Sequence, residues 1–251
     1  MRSLGSRRDG LAQVAIALAA LGVYESMRLA LRPDWPRALA HARLIAGWER
    51  ANDLAWEAPL QRSLLHVPPL LDAMGAFYLV AHFAVTALFF VWLYRRDRPA
   101  FRVFRNGFLL ATAAAFVVAW RFPTAPPRLA GLGLEDTLRR LTGIDIGSPG
   151  SGGLTDPVAA VPSMHAGWAV GVAAGVYRYA RSRRARWLAP LYPAAVVVTV
   201  LATGNHFVLD TASGALVTAL GIAVAAGWAI RPVLRLSLRR GVEQPGSSPG
   251  S

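Results

Sequence analysis

Thr203-Gly204-Asn205-His206-Phe207-Val208-Leu209-Asp210 is the stretch from which the fold of this chain can be worked out, because it places a histidine and an aspartate at the start of a strongly apolar segment. On a helix, positions i and i+4 share one face, so Asp210 is expected to reach the His206 ring, fix its tautomer and support its positive charge. Ionisable groups at membrane depth are costly and usually mark functional sites. The alternative is a structural pair that holds one helix against another.

Apolar runs make up most of the chain, which has 251 residues, of which 54% are hydrophobic. A helix needs about 20 apolar residues to cross a bilayer, and several runs reach or approach that length. We therefore predict an all-α polytopic membrane protein whose single domain, residues 11–230, is a bundle of six transmembrane helices. The predicted spans are Leu11–Leu31, Pro69–Tyr94, Val103–Trp120, Met164–Tyr179, Trp187–Thr203 and His206–Ile230. Residues 1–10 and 231–251 are predicted to be cytoplasmic tails, the second of them disordered.

Arginine supplies every basic side chain and the net charge of +13, and its distribution predicts the orientation. The six-span reading puts four arginine-rich segments on one side, namely the N-terminal tail, the links after spans two and four, and the C-terminal tail. The opposite loops, Arg32–Pro68 and Arg121–Ser163, have acids that nearly balance their arginines. This positive-inside pattern predicts cytoplasmic termini and an extracytoplasmic site. It also explains the charge without a nucleic-acid partner, and the arginine- and alanine-rich composition favours a bacterial inner membrane.

Between spans one and two, residues Pro36–Leu65 are predicted to form an amphipathic interfacial helix or two, with Leu44, Ile45 and Trp48 as the apolar stripe and Glu49 on the polar side. Such a segment shields the bundle or forms a lateral gate for lipid. In span two, Tyr78 and His82 lie one turn apart and are expected to hydrogen-bond to each other or across helices, with a substrate contact as the alternative.

Two further segments have features suited to phosphate. Three prolines between Arg121 and Arg128 stiffen the backbone, and two rigidly placed guanidinium groups suit bidentate phosphate binding, although both arginines could equally snorkel at a helix end. Pro162 and Ser163 predict a helix start beside His165, where free amides and the helix dipole favour an anion. The segment Leu129–Val161 is predicted to be a loop with one short helix near Glu135–Leu141, either a lid or disordered.

Taken in order, FPTAPPR (122–128), VPSMH (161–165) and TGNHFVLD (203–210) resemble the three-part signature of the type 2 phosphatidic acid phosphatase superfamily. Their wording is most similar to its inositol-phosphotransferase branch, which contains the catalytic subunit of inositol phosphorylceramide synthase. The resemblance implies that His206 attacks phosphorus and forms a phosphohistidine, Asp210 orients His206, and His165 is the general acid and then the base. It implies that the phosphoryl oxygens are bound by Arg121, Arg128 and the Ser163 region. It requires no metal and no cofactor.

The chain departs from the phosphatases of that superfamily, which usually have lysine in place of Arg121, proline in place of Leu129 and Ser-Arg in place of Thr199-Val200. We therefore expect transfer of a phosphoryl head group, such as inositol phosphate, from a phospholipid donor to a lipid hydroxyl. The alternative within the superfamily is hydrolysis of phosphatidic acid or polyprenyl phosphates. The sequence determines neither the lipids nor the oligomeric state.

Two other classes of function remain as hypotheses. A transporter could use intramembrane histidines as a proton relay, but the chain has no convincing internal repeat. Two histidines and an aspartate could also bind zinc, but the flanking arginines would repel a cation and favour an anion.

Overall fold

The structure, a computed structural model, describes residues 4–30, 34–145, 147 and 158–242, and these form a helical bundle. Eleven α-helices lie in the described residues: α1 Leu4–Ala30, α2 Trp35–Ala51, α3 Glu57–Leu64, α4 Pro68–Ala76, α5 His82–Arg96, α6 Arg98–Arg121, α7 Thr137–Thr142, α8 Met164–Tyr179, α9 Arg183–Leu188, α10 Leu191–Ala202 and α11 Val208–Val242. A π-helical turn, Phe77–Ala81, joins α4 to α5, and a 3₁₀ turn covers Pro127–Leu129. The predicted all-α class is confirmed.

Four helices among the described residues are long and apolar enough to cross a membrane: Pro68–Arg96, Arg98–Arg121, Arg183–Ala202 and Val208–Ala229. They correspond to predicted spans two, three, five and six. The other two predicted spans are helices, but neither belongs to this set. One is α1, and the other is α8, which at 16 residues is shorter than a typical span. The last helix, α11, continues through residues 231–242, where a disordered tail is predicted, and residues 243–251 lie outside the described part.

The centre of the bundle is built by close approach of α6 and α8 to α11. A Cβ added to Gly107 would lie 2.7 Å from the Cα of Ile222, so α6 meets the backbone of α11 directly. A Cβ added to Gly167 would overlap Thr218 and the Gly214 carbonyl, which shows that α8 is equally close to α11. Small residues at helix interfaces permit this kind of packing in membranes.

The segment for which one or two interfacial helices are predicted contains two helices, α2 and α3. The predicted stripe is divided: Ile45 is buried in the core, whereas Leu44 and Trp48 are exposed. Glu49, predicted to face away from the apolar side, is fully buried. The buried face of α2 consists of Ala38, Ala42, Ile45, Ala46 and Glu49, which follow helical spacing. Glu49 therefore points into the protein and needs a polar partner there.

The segment between α6 and α8 folds back over one end of the bundle. The Thr124 amide donates to the Val158 carbonyl at 2.7 Å, and the Ala160 amide donates to the Thr124 carbonyl at 3.1 Å. The short helix predicted near Glu135–Leu141 is present as α7. Arg140 of α7 forms an ion pair of 2.9 Å with Asp72 of α4, which ties this segment to the bundle. Residues 146 and 148–157 of the predicted loop lie outside the described residues.

The contact between Gly107 and Ile222 generates a prediction about stability. Gly107→Ala should destabilise the protein by about 1–3 kcal/mol, because the new methyl group meets backbone atoms of α11 that cannot rotate away. Gly227→Ala on α11 is the matched control, since its Cβ would meet nothing within 4 Å and alanine favours a helix by about 1 kcal/mol. Thermal unfolding in detergent measures both. Equal unfolding midpoints for the two variants would contradict the close approach of α6 and α11.

Candidate active site

His206 lies in a tight loop between α10 and α11. Gly204 adopts a φ of 66°, and the amides of Asn205 and His206 both donate to the Val200 carbonyl, at 2.9 and 3.2 Å. The structure thus corrects one detail: α11 begins at Val208, so His206 precedes the helix that carries Asp210. The pair still meets, because the loop turns the buried ring back toward the first turn of α11.

The hydrogen bonds of His206 define its tautomer. Its Nδ1 lies 2.9 Å from the Ala160 carbonyl oxygen and 3.4 Å from Oδ2 of Asp210. Both neighbours are acceptors, so Nδ1 carries the hydrogen and Nε2 presents a lone pair. Asp210 is held in turn, because its Oδ2 accepts from the Phe207 amide at 2.9 Å. This geometry leaves Nε2 as the nitrogen that can react.

His165 lies beside His206 at the start of α8, with 5.9 Å between the two ring centroids. Ser163 caps α8, because its Oγ accepts from the Ala166 amide at 3.3 Å, and its own amide donates to the Asp210 carbonyl at 2.9 Å. This second bond joins the beginnings of α8 and α11. The Nε2 atom of His165 is buried and has no hydrogen-bond partner among the described residues. Two imidazole side chains therefore share one small space.

Aromatic rings surround His165 on the side of the π-helical turn. Tyr78 stacks on it with 4.2 Å between ring centroids, and the rings of His82 and Phe83 lie at 4.8 and 5.4 Å. Of the two hydrogen bonds predicted for Tyr78 and His82, the one across helices is present, because Nδ1 of His82 in α5 bonds to the Tyr192 hydroxyl in α10 at 3.0 Å. The π-helical turn changes the register between these two residues, and such turns are frequent at functional sites.

Arg128 is fixed next to the His206 loop. Its Nε donates to Oδ1 of Asn205 at 3.0 Å, its Nη1 pairs with Asp136 at 2.8 Å, and its amide donates to the Gly204 carbonyl at 2.9 Å. The side chain is almost completely buried. Before any substrate binds, the positive charge of Arg128 is thus held against Gly204 and Asn205, the two residues that precede His206.

Arg121 is placed differently. Its guanidinium carbon lies 4.8 Å from the centroid of the half-exposed Trp120 ring, and its carbonyl accepts from Arg37 at 2.9 Å. Neither of these contacts involves His165, His206 or Asp210. The predicted role of Arg121 in phosphate binding therefore stays a prediction.

Two residues beside the site, Glu49 and Glu57, were not predicted from the sequence to belong to it. Oε1 of Glu49 accepts from the Leu209 amide at 2.7 Å, and Oε1 of Glu57 accepts from the Val208 amide at 3.0 Å. Burial, then the neighbouring charges of Glu57 and Asp210, raise the pKa of Glu49 to about 8, and burial raises the pKa of Glu57. The sequence held one signal for Glu49, which continues the apolar spacing of α2.

The described residues contain no group of three or more histidine, cysteine, aspartate or glutamate side chains placed to hold a metal ion. What converges here is an oriented imidazole, a second imidazole and a buried guanidinium. Such a set suits attack on an electrophile that carries negative charge, because the cation binds the charge while the imidazoles react.

Comparison with known proteins gives one match. The family model of the PAP2 superfamily matches residues 43–224, which include all three motifs. No curated protein and no solved structure gives a significant match.

Proposed function

This chain belongs to the PAP2 superfamily, and on that basis we propose that it is a membrane phosphotransferase that moves a phosphoryl head group, such as inositol phosphate, from a phospholipid to a lipid hydroxyl. The observation that carries the proposal is the oriented His206 ring with His165 5.9 Å away. The four long apolar helices support a substrate that belongs to the membrane lipids.

In the first step, Nε2 of His206 attacks phosphorus and the donor alkoxide leaves. The ring gains a positive charge, which the Ala160 carbonyl and the Asp210 carboxylate stabilise through Nδ1–H. His165 gives the leaving oxygen a proton, because an alkoxide is a poor leaving group without one. The products are a phosphohistidine and the free lipid alcohol.

In the second step, His165 takes a proton from the acceptor hydroxyl, which attacks the phosphohistidine and releases His206. Charge on the phosphoryl oxygens is balanced by Arg128 and by the positive end of the α8 dipole, which lies at Ser163 and His165. Arg121 would contribute if it leaves Trp120 when substrate binds.

Transfer and hydrolysis differ only in the attacking hydroxyl, so the alternative is a lipid phosphate phosphatase. The absence of an arginine at Val200 supports transfer, since two guanidinium groups match a phosphodiester monoanion. Val200 packs in an apolar cluster with Ala169 and Val196, so its side chain opens no space for a substituent.

Six spans and an extracytoplasmic site are part of the proposal. If only the four apolar helices crossed the membrane, His165 and His206 would lie on opposite sides, which contradicts the distance between their rings. Crossing by α8 removes the contradiction. Asp9 in α1 pairs at 3.4 Å with Arg98, the first residue of α6, whereas Arg37 in α2 donates to the carbonyl of Arg121, the last residue of α6. At 27 residues, or about 40 Å, α1 is long enough to join these ends.

Variants of His206 and of Asp210, which orients it, test the chemistry. His206→Ala and His206→Gln should abolish turnover, because neither side chain can form a bond to phosphorus. Asp210→Asn should retain a small fraction of kcat, since the carboxylate orients and stabilises the ring without reacting. The matched control is His66→Ala at an exposed histidine, which should keep wild-type kcat. Turnover by His206→Ala at the wild-type rate would refute the nucleophile.

Acceptor dependence distinguishes the two reactions. Purified protein in nanodiscs receives a head-group-labelled phospholipid with and without lipid alcohols, and we expect a labelled lipid product that requires the alcohol. Release of free phosphate from a phosphomonoester, with no product that depends on any alcohol tried, would establish the phosphatase instead.

The orientation can be tested by single-cysteine labelling, because the chain has no cysteine. A membrane-impermeant maleimide added to intact cells should label Arg139→Cys in α7 and leave Arg184→Cys in α9 unlabelled until the cells are opened. Labelling of Arg184→Cys from outside would show that the protein is inverted.

A further inference from the structure

The first turn of α11 is held from outside by two buried carboxylates. Glu49 comes from α2 and Glu57 from α3, and each accepts one of two consecutive amides, those of Leu209 and Val208. Their side chains are nearly inaccessible, with relative exposures of 0% and 5% for the residues. Two separate helices thus each contribute one ionisable side chain that binds the same turn.

That turn is the one that sets the geometry of the reacting residues. The amides at the start of a helix lack partners within the helix and must be satisfied by other groups. Here Asp210 satisfies the Phe207 amide, Glu57 the next one and Glu49 the one after. Three carboxylates therefore cap three successive amides that directly follow His206.

Three full negative charges in so small a buried space would repel one another strongly. The titratable groups that face Glu49 are Glu57 from α3 and Asp210 from α11, and Asp210 in turn faces His206. The second oxygen of Glu49, Oε2, is buried and accepts no hydrogen bond from the described residues. A proton on this oxygen lowers the repulsion and lets Glu49 donate a hydrogen bond to the Glu57 carboxylate.

We propose that Glu49 and Glu57 share one proton and act as a pair of positioning residues, which holds the first turn of α11, and with it His206 and Asp210, through a single negative charge. The inference rests on the proposed function for its effect on turnover. The shared proton itself does not depend on which lipid reacts.

The proton makes both stability and turnover sensitive to pH. The pKa of Glu49 is raised from 4.5 to about 8, so the proton is bound more tightly in the folded protein than in the unfolded chain. Its contribution to stability is complete below pH 4.5 and is lost progressively as the pH rises to about 8. Above that pH, repulsion from Glu57 and Asp210 loosens the turn and misaligns His206.

The main test compares the pH profiles of kcat for wild type, Glu49→Gln and Glu49→Ala. Wild-type kcat should fall above about pH 8, whereas glutamine, which stays neutral, should remove this fall at a cost of at most about threefold at pH 7. Alanine leaves the Leu209 amide without its cap and should lower kcat by about tenfold or more. KM should change by less than about twofold, because the pair does not touch substrate. The matched control, Glu135→Gln at an exposed carboxylate, should follow the wild-type profile.

Infrared spectroscopy tests the proton without any turnover. At pH 7 the wild type should show a protonated carboxyl C=O band that is lost in Glu49→Gln. In Glu57→Gln this band should disappear at lower pH than in wild type, because the neighbouring charge that holds the proton is gone.

The outcomes separate this inference from the proposed function. Superimposable pH profiles and identical carboxyl bands for wild type and Glu49→Gln would overturn the shared proton. If wild type acts on no lipid phosphate, the proposed function fails, and the bands together with the pH dependence of thermal unfolding still decide about the pair. A purely structural role would lower the yield of folded Glu49→Ala but leave the kcat of the folded fraction unchanged, which would also overturn the proposal.

Discussion

The site depends on the contact between the beginnings of α8 and α11. The Ser163 amide donates to the Asp210 carbonyl at 2.9 Å, and a Cβ at Gly214 would overlap the Ser163 carbonyl, so the two backbones touch. A glycine inside a helix costs about 1 kcal/mol relative to alanine, and here that cost permits the contact. Without it, His165 and His206 would belong to two unrelated helix ends.

That His165, His206 and Asp210 lie close together could be predicted from the sequence, because each lies in a short local motif next to a helix start. The long apolar helices could also be predicted, since their signal is length and composition. Glu49 and Glu57 could not be assigned, because their partners are backbone amides of a helix more than 150 residues away in the chain, and backbone amides have no sequence signature. The direction of the Arg121 side chain could not be predicted either, since the side chain of the last residue of a helix can turn toward either of the segments beside it.

The buried positive charge of Arg128 is already neutralised by an acidic side chain, although the chain as a whole is strongly basic. The Nη1 atom of Arg128 lies 2.8 Å from Oδ2 of Asp136. A phosphate that binds Arg128 must compete with Asp136 for the same guanidinium. The same ion pair with Asp136 holds the guanidinium in place before substrate binds, and this reduces the reorganisation needed when charge develops on the phosphoryl group.

The length of α8 has a consequence for the surrounding bilayer. Its 16 residues extend about 24 Å, whereas the hydrocarbon core is about 30 Å thick. If α8 crosses the bilayer, as proposed, a helix this short creates hydrophobic mismatch, which would be relieved by local thinning of the leaflet. Thinning would bring the phosphorus of a neighbouring lipid closer to the depth of the His165 ring at the start of α8. The substrate would then slide sideways into reach and would not have to be lifted out of the membrane.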